Sequence, residues 1–223
     1  MRIWELTESF DNQVNSEIIA QHISMNCQPF LSEIKVDTPP LYRGQSNGVN
    51  TVVNGLYFSS TKPNRNPKDT PIGDHKLIDQ WFFDQFGIRF RSDHIMFATG
   101  HIMVGHYGKA HNVIPIGDFQ FCWSPVINDV LNDIKPAMYE IHNEIGEKYR
   151  DKEKYPQSLI ELRDIVKNEM ILTRLERGKY QTTNLPDAIK SGNEVMIHCK
   201  EYFLLDVTDY EYKQIIKLAK EMI

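Results

Sequence analysis

Apolar residues recur at helical spacing over residues 9–26, where Phe10, Val14, Ile18, Ile19, His22 and Ile23 predict one amphipathic helix. Asp37-Thr38-Pro39-Pro40 breaks that pattern. The short apolar run Leu41-Tyr42 then ends in Arg43-Gly44, as a strand does when it hands over to a loop. Residues 59–73 are polar, carry three prolines and read as a long loop. Asp74 suits the N-cap of a helix bearing Leu77, Ile78, Trp81, Phe82 and Phe86, and Gly87 stops it. Strands are expected at Ile95–Thr99, 112–116, 119–123 and Glu194–His198, with Gly117-Asp118 as a hairpin turn between the second and third. From 126 to 177 the pattern is helical, with breaks at Pro136 and Pro156, each fitted to the first turn of a new helix. Leu159, Ile165, Val166, Leu172 and Leu175 recur there at helical spacing and are expected to be buried. After Gly178 come a strand at 202–207 and a helix at 210–222 with Ile215, Ile216, Leu218 and Met222 on its apolar face. Helices, then strands, a helical insertion at about 126–178 and strands again make one α+β domain over 1–223 with a mainly antiparallel sheet.

Composition narrows the class. At 223 residues, 41% hydrophobic and 11% aromatic, the chain is long enough to bury a core and keep a cleft. No apolar stretch approaches the ~18 residues needed to cross a bilayer, and the start Met1-Arg2-Ile3-Trp4-Glu5 is unlike a secretory signal. Cys27, Cys122 and Cys199 are too far apart for a zinc motif or a disulfide framework, so a cytoplasmic setting without membrane contact is expected. The net charge of -5 argues against a general nucleic-acid coat, although Lys62, Arg65, Lys68, Lys76, Arg89 and Arg91 make 62–91 mildly basic. His94, His101, His106 and His111 share neither a helix face nor a strand face, so no metal centre is expected. No Gly-x-Gly-x-x-Gly is present.

Three stretches could carry chemistry. Arg43, at a strand end before Gly44, could offer a planar fork to phosphate. Thr99-Gly100 ends an apolar strand with a hydroxyl and a residue that admits close backbone approach. Glu194 opens a strand of alternating apolar residues, where a carboxylate facing a cleft can stabilise a developing cation. Each stretch alone also fits a plain strand end.

Their order resembles the arginine–serine–glutamate branch of the ADP-ribosyltransferase superfamily. Tyr42-Arg43-Gly44 matches its first motif, Phe97-Ala98-Thr99-Gly100 a reduced form of its Phe-x-Ser-Thr-Ser strand, and Glu194-Val195-Met196-Ile197 its glutamate strand. Tyr107 stands near the family's aromatic position. The stretch Arg65-Asn66-Pro67-Lys68-Asp69-Thr70-Pro71, with Phe86-Gly87 after it, is similar to small phage-encoded members. The resemblance implies a split, mainly antiparallel sheet around an NAD cleft. It implies a transferase that cleaves the nicotinamide–ribose bond of NAD, without a metal, and passes ADP-ribose to a host protein or nucleic acid. Glu194, Arg43 and Thr99 would be catalytic, and Arg43, Gly44, Thr99, Gly100, Tyr107 and Arg65 would contact NAD, with Arg65, Arg89 and Arg91 as further candidates for its phosphates. Residues 180–193 would meet the acceptor, with Gln181, Thr182, Thr183 and Asn184 facing it. Three departures stand out: Thr99 is the one hydroxyl left in the central triplet, a literal Ser59-Ser60-Thr61 is present but lies too soon after Arg43, and Gly192 replaces the Glu or Gln that protein-modifying relatives carry two residues before the glutamate. NAD hydrolysis and a non-catalytic binding protein of the same fold are the alternatives.

Overall fold

The computed structural model describes residues 16–45, 49–67, 69–100, 108–136 and 157–223, with the side chains of 157–160 excepted. Among these residues the helices are α1 (16–26), α2 (Gln28–Glu33), α3 (Ile72–Phe86), α4 (130–136), α5 (Gln157–Arg177), α6 (Leu185–Ser191) and α7 (Asp209–Glu221). The strands are β1 (Tyr42–Gln45), β2 (Asn50–Val53), β3 (Leu56–Ser60), β4 (Ile95–Thr99), β5 (Lys109–Pro115), β6 (Gln120–Trp123), β7 (Glu194–His198) and β8 (Glu201–Leu205). They form one eight-stranded sheet in the order β2-β3-β8-β5-β1-β4-β7-β6, every pair antiparallel. The fold is α+β.

Two features of the sheet decide where a site can form. β4 and β7 pair from Ile95↔His198 to Thr99↔Glu194, and β1 and β5 pair from Tyr42↔Asn112 to Gln45↔Lys109. Between them, β1 and β4 meet at Tyr42↔Thr99 alone. The sheet therefore splits into β2-β3-β8-β5-β1 and β4-β7-β6. Cys199 and Lys200 join β7 directly to β8, which belongs to the other part. So short a link requires the two parts to curl toward each other.

Along β4 and β7 the side chains alternate between two apolar layers, as a doubly covered strand requires. Met96, Ala98, Val195 and Ile197 join a core with α1, α2, α6 and α7. Ile95, Met196 and, from β6, Cys122 join a second core with α3, α4 and α5.

Several expectations change. Residues 59–60 close a strand rather than opening a loop. Asn54-Gly55 turns β2 into β3, with Gly55 at φ +83°, a left-handed position that glycine takes without steric cost. Gly117-Asp118 is not a hairpin turn, because β5 pairs with β1 and β8 while β6 pairs with β7. Residues 111–115 of β5 are all buried and so take neighbours on both sides. Asp74 is not the N-cap of α3. Pro71 precedes the helix, and Asp74 lies buried in its first turn, 2.6 Å from Lys167 Nζ of α5. Gly87 does end α3, at φ +73°, donating its N–H to Phe83 O. α7 is closed by a capping box of Thr208 and Glu211, and buries Tyr212, Ile215, Ile216 and Ala219, leaving Met222 half exposed.

The helical insertion buries a different stripe from the expected one. Ile171 and Leu175 are fully buried and Leu172 partly so, but Ile165 and Val166 are 55% and 40% exposed. The buried stripe is the one that meets α3 and α4, and the packing just past the end of α5 is close: a Cβ on Gly178 would come within 2.6 Å of Ile127 Cδ1. The side chain of Leu159, Pro156 and the first part of the expected N-terminal helix (9–15) lie outside the described residues. No helix among the described residues is long and apolar enough to cross a membrane.

Cutting Leu175 to alanine should cost about 2–5 kcal/mol. Ile165→Ala should stay within about 0.5 kcal/mol of the parent. Urea unfolding of the two variants checks the assignment; equal losses would mean that the insertion packs through its other face.

Candidate functional site

Thr99 and Glu194 stand opposite each other on adjacent strands, so their side chains leave the same face of the sheet. Thr99 Oγ1 donates to Gly192 O at 2.6 Å. It thereby fixes the turn from α6 into β7, two residues before Glu194. Gly100 permits the same close approach: a Cβ there would come within 1.7 Å of Ile189 O at the end of α6. The Glu194 backbone N–H donates to Asn128 O at 2.8 Å, and its Oε2 accepts from the Val130 N–H at 3.4 Å, at the start of α4. The same oxygen lies 3.4 Å from Arg91 Nη1, with side-chain exposures of 8% for Arg91 and 18% for Glu194. The helical insertion thus supplies part of the site.

Arg91 is held by its own backbone. Asp79 of α3 accepts the Arg91 N–H at 2.9 Å and the Ser92 hydroxyl at 2.5 Å. The buried Asp79 therefore aims the loop that carries Arg91 at β4.

One residue, Phe97, gathers three arginines. The guanidinium carbons of Arg65 and Arg91 each lie 4.7 Å from the centre of its ring, within cation–π range. Arg43 Nη1 donates to its carbonyl oxygen at 2.9 Å. Arg43 Nε also donates to Gln45 Oε1 at 3.2 Å. Tyr42, not Arg43, is the β1 residue paired with Thr99, so Arg43 leaves β1 on the alternate face and enters the split to reach β4. Gly44 pairs with Ala110 inside the sheet.

Burial pushes the Glu194 carboxyl above the ordinary carboxylate range; Arg91 opposes this and Asp129 adds to it. Burial pulls the Arg65 guanidinium down, and the charges of Arg91 and Arg43 pull it further, while Glu194 and Asp69 oppose. Arg65 is thus in electrostatic reach of Arg43, Arg91 and Glu194 together. His75, one helical turn before Asp79, is pulled down by burial, opposed by Asp79 and assisted by Arg91 and Arg65. The Tyr180 hydroxyl is pushed up by burial and next by Glu194.

Buried polar atoms without a hydrogen-bond partner gather in the same place. Among the described residues these atoms are His75 Nδ1 and Nε2, Arg91 Nε, Tyr180 OH and, elsewhere, Tyr212 OH. Such atoms are rare in folded proteins and costly, at about 1–3 kcal/mol each. Neither His75 nor Tyr180 was singled out from the sequence, although Tyr180 packs on Trp81 and Phe82 at 5.7 and 5.0 Å. Arg91 is one of three candidate phosphate contacts with Arg65 and Arg89; what distinguishes it is the contact between its backbone and Asp79.

Thr99 and Glu194 are therefore brought together directly, with Arg65 and Gly100 beside them, while Arg43 reaches the cluster through Phe97. Tyr107 lies outside the described residues. The segment 180–193 is not a free loop. Gln181 bridges to Trp123, the Trp123 indole N–H donates to Thr183 O at 3.0 Å, and α6 occupies Leu185–Ser191. Two surface hollows, of about 460 and 590 Å³, lie away from this cluster. No group of three or more metal-ligating side chains is found among the described residues. The three cysteines are buried thiols. No family model, curated protein or solved structure matches the chain.

The shift at Glu194 has a stability consequence. Its folded-state pKa lies above its unfolded value, so the native protein holds this proton more tightly. Its contribution turns unfavourable as pH rises from about 4.3 through the folded value. Glu194→Gln should therefore raise Tm by a few degrees at pH 7 and leave it unchanged at pH 4. Thermal melts at both pH values check this; a lower Tm at pH 7 would mean that the Arg91 pair outweighs burial.

Proposed function

We propose that the chain is an NAD-cleaving ADP-ribosyltransferase. The observation that carries this reading is the Thr99–Glu194 pair at a split in the sheet, with Arg91 on the carboxylate and Arg65 and Arg43 on Phe97. The split antiparallel sheet, with its arginine, hydroxyl and glutamate strands side by side in the order β1-β4-β7, supports the fold that the sequence resemblance implies.

The residues suit the substrate. Arg43, Arg65 and Arg91 repel one another across the cluster, and Arg91 Nε is buried without an acceptor. A diphosphate would neutralise that excess and accept from their planar forks. The carboxylate beside them suits the chemistry. When the nicotinamide–ribose bond breaks, its electron pair leaves with nicotinamide and positive charge develops on the ribose. A carboxylate stabilises that charge more than the neutral ribose before it, which lowers the barrier. Glu194 takes this role, and Arg91 favours its charged form against the pull of burial. Thr99 and Gly100 act through the α6–β7 turn, holding Glu194 at the strand start. ADP-ribose then passes to a macromolecular acceptor.

A second reading, a binding protein of the same fold, draws on Thr99, whose hydroxyl is already engaged with Gly192 O. Turnover separates the two. Nicotinamide release from NAD, measured with and without host extract, should be present in the parent. In Glu194→Gln it should fall about a hundredfold to a thousandfold with NAD affinity little changed. Arg43→Ala removes a contact used by substrate and transition state alike and should weaken NAD binding first. A parent inert toward NAD with every acceptor class supplied would favour the binding protein.

A further inference from the structure

The inward face of α3 carries His75, Ile78, Asp79 and Phe82, all buried and spaced as one side of a helix. On that face Asp79 accepts the Arg91 N–H and the Ser92 hydroxyl. Ser92 O in turn accepts the Arg65 N–H at 2.9 Å. The loops that carry Arg91 and Arg65 are thereby tied to one side of α3. His75 lies on the same side, one turn nearer the helix start.

The His75 residue is 4% exposed, and neither of its ring nitrogens has a hydrogen-bond partner. A neutral imidazole has one donor and one acceptor nitrogen, and burying both unmet is costly. The acidic neighbours are already engaged. Asp79 serves Arg91 and Ser92 and lies 3.6 Å from Arg89. Asp74, next to His75 in the chain, meets Lys167 of α5. Burial opposes a charge on the ring, Asp79 favours one, and Arg91 and Arg65 oppose it. Arg91 Nε, in the same cluster, is also buried without a partner. An anion on Arg91 and Arg65 would offset both opposing charges and add its own attraction.

We propose that His75 is a fourth cation of the anion site: as a diphosphate settles on Arg65 and Arg91, the imidazole takes up one proton from solvent. The ligand is then held by Arg43, Arg65, Arg91 and an imidazolium. The proposal rests on the diphosphate assigned to these arginines above, and adds the proton that accompanies it. The sign follows from linkage. The bound protein holds the proton more tightly than the free one, so binding strengthens as pH falls. Affinity is level below the free value of His75, which lies under about 6.5. It weakens as pH rises from the free to the bound value, and is level again above that.

The probe is ADP-ribose, which keeps the diphosphate, lacks the nicotinamide bond and carries no phosphate proton that titrates near neutral pH. Calorimetric titration of the full chain from about pH 5 to about pH 8, in non-phosphate buffers of low and high ionisation enthalpy, counts the protons taken up. Uptake should peak at about half a proton or more, with affinity roughly tenfold tighter at the acid end. Glu194→Gln removes the other carboxyl able to take a proton there and should keep both effects. His75→Gln should lose both. In the parent, the His75 ring nitrogens, assigned through its backbone in nitrogen-15 spectra, should move from neutral to imidazolium positions when ADP-ribose is added; this reads the same event without a variant. Binding without proton uptake, uptake that survives His75→Gln, or uptake lost in Glu194→Gln overturns the proposal and leaves the transferase reading standing. A parent that binds no ADP-ribose overturns both.

Discussion

The site depends on an interruption in strand pairing. β1 and β4 are neighbours, yet the ladder between them consists of Tyr42↔Thr99. Had it continued, the Phe97 carbonyl would have been taken by a β1 amide. It is taken by Arg43 instead. A buried carbonyl must find a donor, and a guanidinium supplies one while keeping further donors for a ligand. The split and the arginine are thus one feature: the sheet opens at this point because a side chain closes its hydrogen bonds. The direct β7–β8 link draws the two parts together around the opening.

The second half of the site rests on α3. Asp79 contributes no group to the cluster surface, but by accepting the Arg91 and Ser92 donors it sets a loop residue against Phe97 and Glu194. Burying one partner of an ion pair without the other is costly, so Arg91 and Glu194 depend on each other for their positions. The pair is long, at 3.4 Å, and burial still outweighs it at the carboxyl. A group held against its preference in this manner adds little to stability. Its retention makes sense where a charge is needed at that point, the trade between stability and activity met at functional sites.

How much of this the sequence revealed varied with how local the cause was. β4 and β7 are found where their apolar runs begin and end, because both strands are covered on two faces and bounded by a hydroxyl, a glycine or a turn. The Thr99–Glu194 pairing follows from those two strands. The β2–β3 hairpin was equally local and was passed over: Asn54-Gly55 lies between Val52-Val53 and Leu56-Tyr57, a strong short-range signal for a two-residue turn. Gly117-Asp118 misled for the opposite reason. It is a turn, but its flanking strands find partners elsewhere in the sheet, and no local pattern reports that. His75 and Tyr180 could not be singled out, nor Arg91 told apart from Arg65 and Arg89, since their meaning comes from Asp79, Phe97 and Glu194, which are brought together only by the fold. The buried stripe of α5 was misread because its apolar residues occupy more of the helix than one face, and packing against α3 and α4 selects among them.

The pattern of unmet needs distinguishes this cluster from a structural ion-pair network. A structural network closes on itself: each buried donor has an acceptor and each charge a counter-charge. Here Arg65 and Arg91 face Glu194, with Arg43 beside Arg65 and with Asp69 and Asp79 at the margin, and four polar atoms on His75, Arg91 and Tyr180 have no partner. Elsewhere the protein satisfies comparable groups. Asp74 meets Lys167, Asn112 reaches Val207 O, and the Ser124 hydroxyl serves Gly178 O and two backbone amides. The same chain that completes these contacts leaves a cationic excess and orphan donors around one carboxylate. An anionic partner with its own acceptors supplies what the cluster lacks, and the diphosphate of a dinucleotide has both the charge and the oxygens.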